Sequence, residues 1–467
     1  MPLGNGLAPA GPDLRALDRA HVLHPWTQFG SFADHGALVI DRGRGCRLWD
    51  ADGREYLDAV GGLWCTNVGL GRAEIADAMA DQARRLAFSN TFVDMSNTPS
   101  ALLAARLAAL APGDLNRVHF TAGGSDAIDS AFRLVQFYQA CRGRPGKTGI
   151  VARAASYHGS THIAQSISLR DGDRVPEFRY TTEGIWHLSA PNLYRRPEGM
   201  TEAAFTDHLV AEFEELIARV GPDRIGGFFA EPIPASGGVL VPPPGYLKRM
   251  RALCAAHDIL FVADEVVTGF GRIGHWFASE AEFGIVPDII TTAKGLTSGY
   301  APLGAMIFSD RIWEAISADR SRWYSSGFTY SGHPVSCAAA LANIAIIEGE
   351  DLLARSMRVG ALFEEGLSTL RDLPLVGDVR GLRLMMCVEN VADKATKRLL
   401  PDAVGESRRI ADACEAMGLL VRPIGHLNVM SPPLVITAQE VDFVVTTLGR
   451  AIRKVADELV REGVRLG

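Results

Sequence analysis

The chain has 467 residues, 47% of them apolar and 22% charged, with 47 Lys plus Arg against 54 Asp plus Glu for a net charge of −7. This is the balance of a soluble globular protein that buries roughly three quarters of its unfolded surface. It offers no electrostatic support for nucleic-acid binding, and no uninterrupted apolar stretch is long enough to span a bilayer.

The length admits up to about three domains, and α/β enzymes of this size often use one large and one small domain. Seven cysteines (Cys46, Cys65, Cys141, Cys254, Cys337, Cys387 and Cys414) are scattered, odd in number and without a C-x-x-C pair. Reduced thiols in a cytoplasmic protein are expected, not a disulfide framework or a zinc site. The N-terminus lacks the apolar run of a secretion signal, in keeping with a soluble, cytoplasmic protein.

Residues 1–20 are rich in Gly, Pro and Ala and are expected to form an arm without a core of its own. The aromatic residues Trp26, Phe29 and Phe32 suggest a packed or ligand-facing segment. Residues 38–58 read as short strands joined by turns at Gly43, Gly45 and Asp52-Gly53. They lead to A-V-G-G-L-W-C, where glycines let the backbone approach something closely. Trp64 there either lines a pocket or plugs the core. Helical spacing follows over 73–86 and 100–110, with a loop over 88–97 between them.

A short strand at 118–121 runs into the turn Gly123-Gly124-Ser125, and a helix is expected from Asp126. Its apolar face carries Ala127, Ile128, Ala131, Leu134, Val135 and Tyr138. A strand, a glycine turn and a helix N-terminus together offer unpaired N–H groups and a positive dipole end to a phosphate. Taken alone, the turn is a weak signal and more commonly an ordinary helix cap; its weight comes from the company it keeps. The strand 149–152 precedes Tyr157-His158-Gly159, in which the tyrosine either stacks on a planar cofactor or sits on the surface. Residues 170–197 read as irregular. Helix 206–219 and strand 225–230 follow, the strand ending on Glu231-Pro232 and a long loop to 245. Helix 246–257 comes next.

The apolar run 259–263 has the length and branching of a strand buried on both faces, and it ends on Asp264 and Glu265. A second run, 289–293, ends on Lys294. Ligands of open α/β sheets lie outside the carboxyl ends of the strands, so an acid and an amine are delivered to one edge. Buried together they form a costly ion pair, unless something lies between them. Pyridoxal phosphate suits that gap, because its aldehyde condenses with a lysine amine and its ring nitrogen needs a carboxylate partner. Beyond Lys294 come a strand, a helix to 316, a polar aromatic loop around Thr329 and a helix over 335–347. Helices at 351–371 and 405–417 and strands near 383–389 and 419–422 read as a second, smaller α/β domain.

Two motif matches fail on context. Gly269-Phe-Gly271-Arg-Ile-Gly274 fits G-x-G-x-x-G but does not sit directly at the strand-to-helix turn, as a dinucleotide site requires. Residues 141–148 resemble a phosphate-binding loop, yet Cys141 replaces its first glycine and the stretch follows a helix. Neither H-E-x-x-H nor G-x-S-x-G occurs.

With the Asp-Glu-Val after one strand and Lys294 thirty residues beyond Asp264, the chain resembles the class III aminotransferases, over residues 38–433. More narrowly it is similar to ω-amino acid or amine:pyruvate transaminases. The resemblance implies a fold type I architecture: a large domain with a mostly parallel central sheet and a smaller α/β domain. Residues 1–75 would contribute to the small domain, 76–335 would form the large domain that binds pyridoxal 5′-phosphate, and 336–467 would complete the small one. By position, it implies Lys294 as the Schiff-base lysine and Asp264 as partner of the pyridine nitrogen. Val266 and Tyr157 would pack on the two ring faces, and Gly124 and Ser125 would bind the phosphate. Glu231 would stand close by. Thr329 would reach the phosphate of a neighbouring subunit, which implies a homodimer with shared sites. Trp64 matches a pocket-wall tryptophan, and Arg422 matches a mobile arginine that binds a substrate carboxylate.

The phosphate turn departs from the family pattern Ser-Gly-Ser-Glu-Ala-Asn, since Gly123, Asp126 and Ile128 stand at three of its positions. The backbone donors survive that change. The implied activity is a ping-pong transfer of an amino group from an amine or ω-amino acid to a keto acid such as pyruvate. The cofactor would alternate between its pyridoxal and pyridoxamine forms. The alternatives are decarboxylase or aminomutase chemistry on the same cofactor, and an NAD-dependent oxidoreductase.

Overall fold

The computed structural model describes residues 13–467. Most of the arm expected over residues 1–20 lies outside the described residues. Its last part is the helix Leu14–His21, capped by Asp13, which buries none of its residues.

The central sheet has seven strands, numbered here β1 (Leu115–Thr121), β2 (Gly149–Arg153), β3 (Ile185–Leu188), β4 (Ile225–Ala230), β5 (Leu260–Asp264), β6 (Ile289–Thr292) and β7 (Gly304–Ser309). Their spatial order is β1-β7-β6-β5-β4-β2-β3. The pairs from β6 to β3 are all parallel, and β7 alone is antiparallel to both its neighbours. Every residue of β2, β4, β5, β6 and β7 is buried, which is why these strands read as continuous apolar runs and not as alternating ones. Along β5, Leu260 and Val262 pack with Ile128, Ala131 and Leu134 of helix α1 (Gly124–Cys141) on one face. Phe261 and Ala263 pack with Phe213, Phe228 and Met250 on the other. Each such side chain contributes about 1.5–3 kcal/mol by leaving water. The parallel strands therefore present their carboxyl ends along one edge, between two layers of helices.

Strand β3 was not expected, because its stretch was read as irregular. It is one of the two edge strands of the sheet and only its last residue, Leu188, is buried, so its sequence lacks the apolar run of its neighbours.

Two smaller sheets flank the first. In one, Ile40–Arg44, Arg47–Asp50 and Glu55–Asp58 form an antiparallel meander, and Leu419–Leu420 joins it parallel to Glu55–Asp58 with Leu420 opposite Asp58. The other is antiparallel, in the order Val376–Leu382, Met385–Asn390, Leu427–Met430, Arg422–Ile424. The strand expected near 383–389 is thus the second arm of a hairpin whose turn holds Arg383 at φ 53°. Its first arm, V-G-D-V-R-G-L, carries glycines and charges and went unread. The strand expected at 419–422 is divided between the two sheets. The 24-residue helix Ala438–Arg461, also unread, opens on a capping box in which the Thr437 side chain and Glu440 exchange hydrogen bonds with each other's backbone N–H.

Candidate active site

Lys294 leaves β6 with φ 45° and opens a single 3-10 turn. A non-glycine residue in the left-handed region is uncommon and is held there by its surroundings. Its Nζ lies 5.2 Å from the centroid of the Trp64 ring. Burial pushes the Lys294 amine below its ordinary pKa, and the charge of Asp264 opposes that shift. Asp264 thus lies near enough for its charge to act on the amine.

Asp264 ends β5, where it pairs in register with Thr291 of β6. Its Oδ2 is 2.7 Å from His158 Nδ1, and its Oδ1 accepts from the Val266 N–H at 3.1 Å. His158 is buried with Nε2 unpartnered. Glu231, one residue beyond β4, accepts from the N–H of Tyr157 at 3.0 Å and of Ala235 at 2.9 Å. Burial raises its pKa; His158 draws it down and Asp264 pushes it up again. Four strand ends therefore bring Tyr157, His158, Glu231, Asp264 and Lys294 to one edge. His158 carries no expected role from the sequence, and its place in Tyr157-His158-Gly159 is the signal that points to it.

The helix α1 starts two residues earlier than expected, so Gly124 and Ser125 lie in its first turn, and no side chain caps it. Its free N–H groups and positive dipole end suit an anion. A Cβ added at Gly124 would stand 3.1 Å from both methyl carbons of Val266, so this turn lies directly against the residue expected on a ring face. Gly159, at φ +139°, comes so close to Ser125 that an added Cβ would be 2.5 Å from its Oγ. Ser160 N donates to that Oγ at 3.0 Å. The tyrosine loop and the helix N-terminus are thereby locked together.

Trp64 is buried at the Lys294 amine, with φ 60° and an unpartnered Nε1. The Tyr157 ring meets Trp26 edge-on at 5.9 Å, and the Arg170 guanidinium lies 5.1 Å from the centroid of each ring. The aromatic segment read around Trp26 thus faces Tyr157 while remaining half exposed. Arg422 is exposed at the start of its strand. Desolvation lowers its pKa, the positive charge of Arg170 adds to that effect, and Tyr157 opposes it. Thr329 is exposed on the loop before helix Pro334–Gly349 and makes no hydrogen bond among the described residues.

No helix of the described residues is long and apolar enough to cross a membrane. Among them, no group of three or more His, Cys, Asp and Glu side chains could hold a metal ion.

Parallel strands delivering a lysine, a carboxylate and a helix N-terminus to one edge are the marks of a fold type I transferase. The sequence profile of the class-III aminotransferases matches residues 31–452. The chain is 39% identical to the diaminobutyrate–2-oxoglutarate transaminase of Halomonas elongata, covering 97% of this chain and 98% of the relative. It is 37% identical to the putrescine–pyruvate aminotransferase of Pseudomonas aeruginosa, over 95% of this chain and 96% of the relative. Its structure superposes on the ω-transaminase of Pseudomonas jessenii, solved in complex with PMP, with a TM-score of 0.92 at 35% identity, covering 95% and 98% of the two chains. The chain belongs to the class III aminotransferases. It is an enzyme of the transaminase type that depends on pyridoxal phosphate. The residues present fit that group: an amine and a carboxylate stand at the ends of adjacent parallel strands, and a glycine-floored helix N-terminus lies against Val266.

Proposed function

We propose that the enzyme moves an amino group from an amine or ω-amino acid to a keto acid, with pyruvate as acceptor, in the cytoplasm. The observation that carries the residue roles is the placement of Lys294 and Asp264 at the ends of adjacent parallel strands. Pyridoxal phosphate, when bound, supplies the electrophilic carbon that takes up the amino group and a ring that withdraws electrons from it. Lys294 would hold the cofactor through its amine, and that amine, when free, would serve as the base and acid that moves the substrate's proton. The lowered pKa leaves more of that amine unprotonated and able to act as a base. Asp264 holds the proton on the ring nitrogen, and His158 orients Asp264. Gly124 and Ser125 offer N–H groups to the phosphate, Val266 and Tyr157 take the two ring faces, and Glu231 fixes the backbone beneath Tyr157.

Trp64 forms the wall of the substrate pocket, and Arg422 binds the carboxylate of the keto acid. Thr329 serves the phosphate of the neighbouring protomer, so the working unit is a homodimer with shared sites. Residues 13–75, the described part of the expected segment 1–75, and 336–467 make the small domain around the large domain 76–335. The pairing of Leu419–Leu420 with Glu55–Asp58 supports that division.

The test is a donor and acceptor screen that reads alanine formation, run with the wild type and Arg422→Ala. The variant should lose about 10- to 100-fold in kcat/KM for pyruvate, the worth of a charge-assisted hydrogen bond, while the half-reaction with a neutral aromatic amine changes little. Equal losses in both half-reactions would remove the carboxylate role, and a wild type that forms no alanine from any donor would remove pyruvate as acceptor.

A further inference from the structure

The turn that presents Trp64 carries a tryptophan in the left-handed region, at φ 60°, behind two left-handed glycines. Gly61, Gly62 and Trp64 stand at φ 63°, 66° and 60°, and Gly62 and Leu63 are non-helical inside a segment nominally helical over Gly61–Trp64. Such a run holds only where its surroundings over-determine it. One side chain supplies much of that hold. Asp58, 3% exposed at the end of its strand, accepts from Val60 N at 2.8 Å and Gly61 N at 3.0 Å through Oδ1, and from Gly62 N at 2.6 Å through Oδ2. The far side of the turn is closed as well. Ser431 donates its N–H to Ala59 O and its hydroxyl to Val60 O, both at 2.8 Å. A Cβ on Gly61 would stand 2.7 Å from Ser431 O. Asp58 lies opposite Leu420 in the parallel pair, and Ala59 N donates to Leu420 O at 3.1 Å. The ends of these two strands lead on to Trp64 and to Arg422.

We infer that Asp58 is a positioning residue for substrate selection, holding the Gly61–Trp64 turn so that the Trp64 ring stands against the Lys294 amine. This rests on the reading of Trp64 as the pocket wall. Asp58→Asn tests it almost isosterically: an amide cannot accept from three N–H groups on both of its heavy atoms, so its NH2 faces a backbone donor and the turn loosens.

The experiment measures kcat/KM for 1-phenylethylamine and for isopropylamine, with pyruvate, in holoenzyme of the wild type, Asp58→Asn, Trp64→Gly and the double variant. Asp58→Asn should change the ratio of the two amines about tenfold, chiefly through KM. In the Trp64→Gly background the same substitution should leave the ratio within about twofold, since its effect passes through the ring. A loss shared equally by both amines, or the same change in ratio with and without Trp64, would overturn the inference. If Trp64→Gly alone leaves the ratio at the wild-type value, the pocket-wall reading fails and takes this inference with it. Should Asp58→Asn not fold, Gly62→Ala, which strains the same turn at φ 66°, must move the ratio in the same direction; an unchanged ratio would overturn the inference.

Discussion

Asp264 is held at both oxygens, by His158 Nδ1 and by the Val266 N–H, so its orientation toward the cleft is set before any ligand arrives. Preorganised charge of this kind acts where charge develops in the transition state and needs no rearrangement to do so. Asp264→Asn preserves shape and removes the charge. Cofactor should remain bound while kcat falls by about 100-fold or more, the order seen when one stabilising group is lost; an unchanged kcat in steady-state assays would make the acid merely structural. His158 shows where reading by residue type stops. Its neighbour Tyr157 was a candidate because a tyrosine at a strand end can stack on a ring. That the histidine turns inward to Asp264, 106 positions away in sequence, follows from the packing of β2 and β5 on either side of β4, which sequence order does not display.

At the scale of elements, the buried strands were the most legible part. Five of them are buried along their whole length, and the apolar runs of β4, β5 and β6 lead into Glu231, Asp264 and Lys294. The edge strand Ile185–Leu188 and the hairpin arm Val376–Leu382 were not legible. Each is only partly buried, and their stretches include polar residues or glycines that suit loops equally well. The last helix had a readable start in T-A-Q-E ahead of an amphipathic run. Because Thr437 caps it reciprocally with Glu440, Thr437→Ala should cost about 1 kcal/mol locally. Amide hydrogen exchange in the first turn of Ala438–Arg461 should quicken while turnover stays at the wild-type rate. Exchange identical to the wild type would show that packing alone fixes this helix end.

For the whole molecule, the exposed apolar residues gather unevenly. Val93 is 85% exposed and Trp323 75%, and with Phe92 and Phe328 they line a cavity of about 800 Å³ beside the loop that carries Thr329. Patches of this kind mark association surfaces, in keeping with the proposed dimer. If each site takes Lys294 from one protomer and Thr329 from the other, a hybrid of Lys294→Ala and Thr329→Ala protomers contains one intact site and one doubly altered site. Mixing equal amounts of the two variants under exchange conditions should then raise activity above the mean of the separate variants, with the hybrids, half of the dimers, restoring about a quarter of the wild-type activity. Activity no greater than that mean would place both residues in sites made by single chains.

The most direct measurement of the central claim is borohydride reduction of the purified holoenzyme, followed by digestion and mass analysis. The account predicts loss of the visible absorbance band and a single reduced pyridoxal phosphate adduct on the peptide bearing Lys294, absent from Lys294→Ala. An adduct on another lysine, or a protein that binds pyridoxal phosphate without forming any reducible bond, would contradict it.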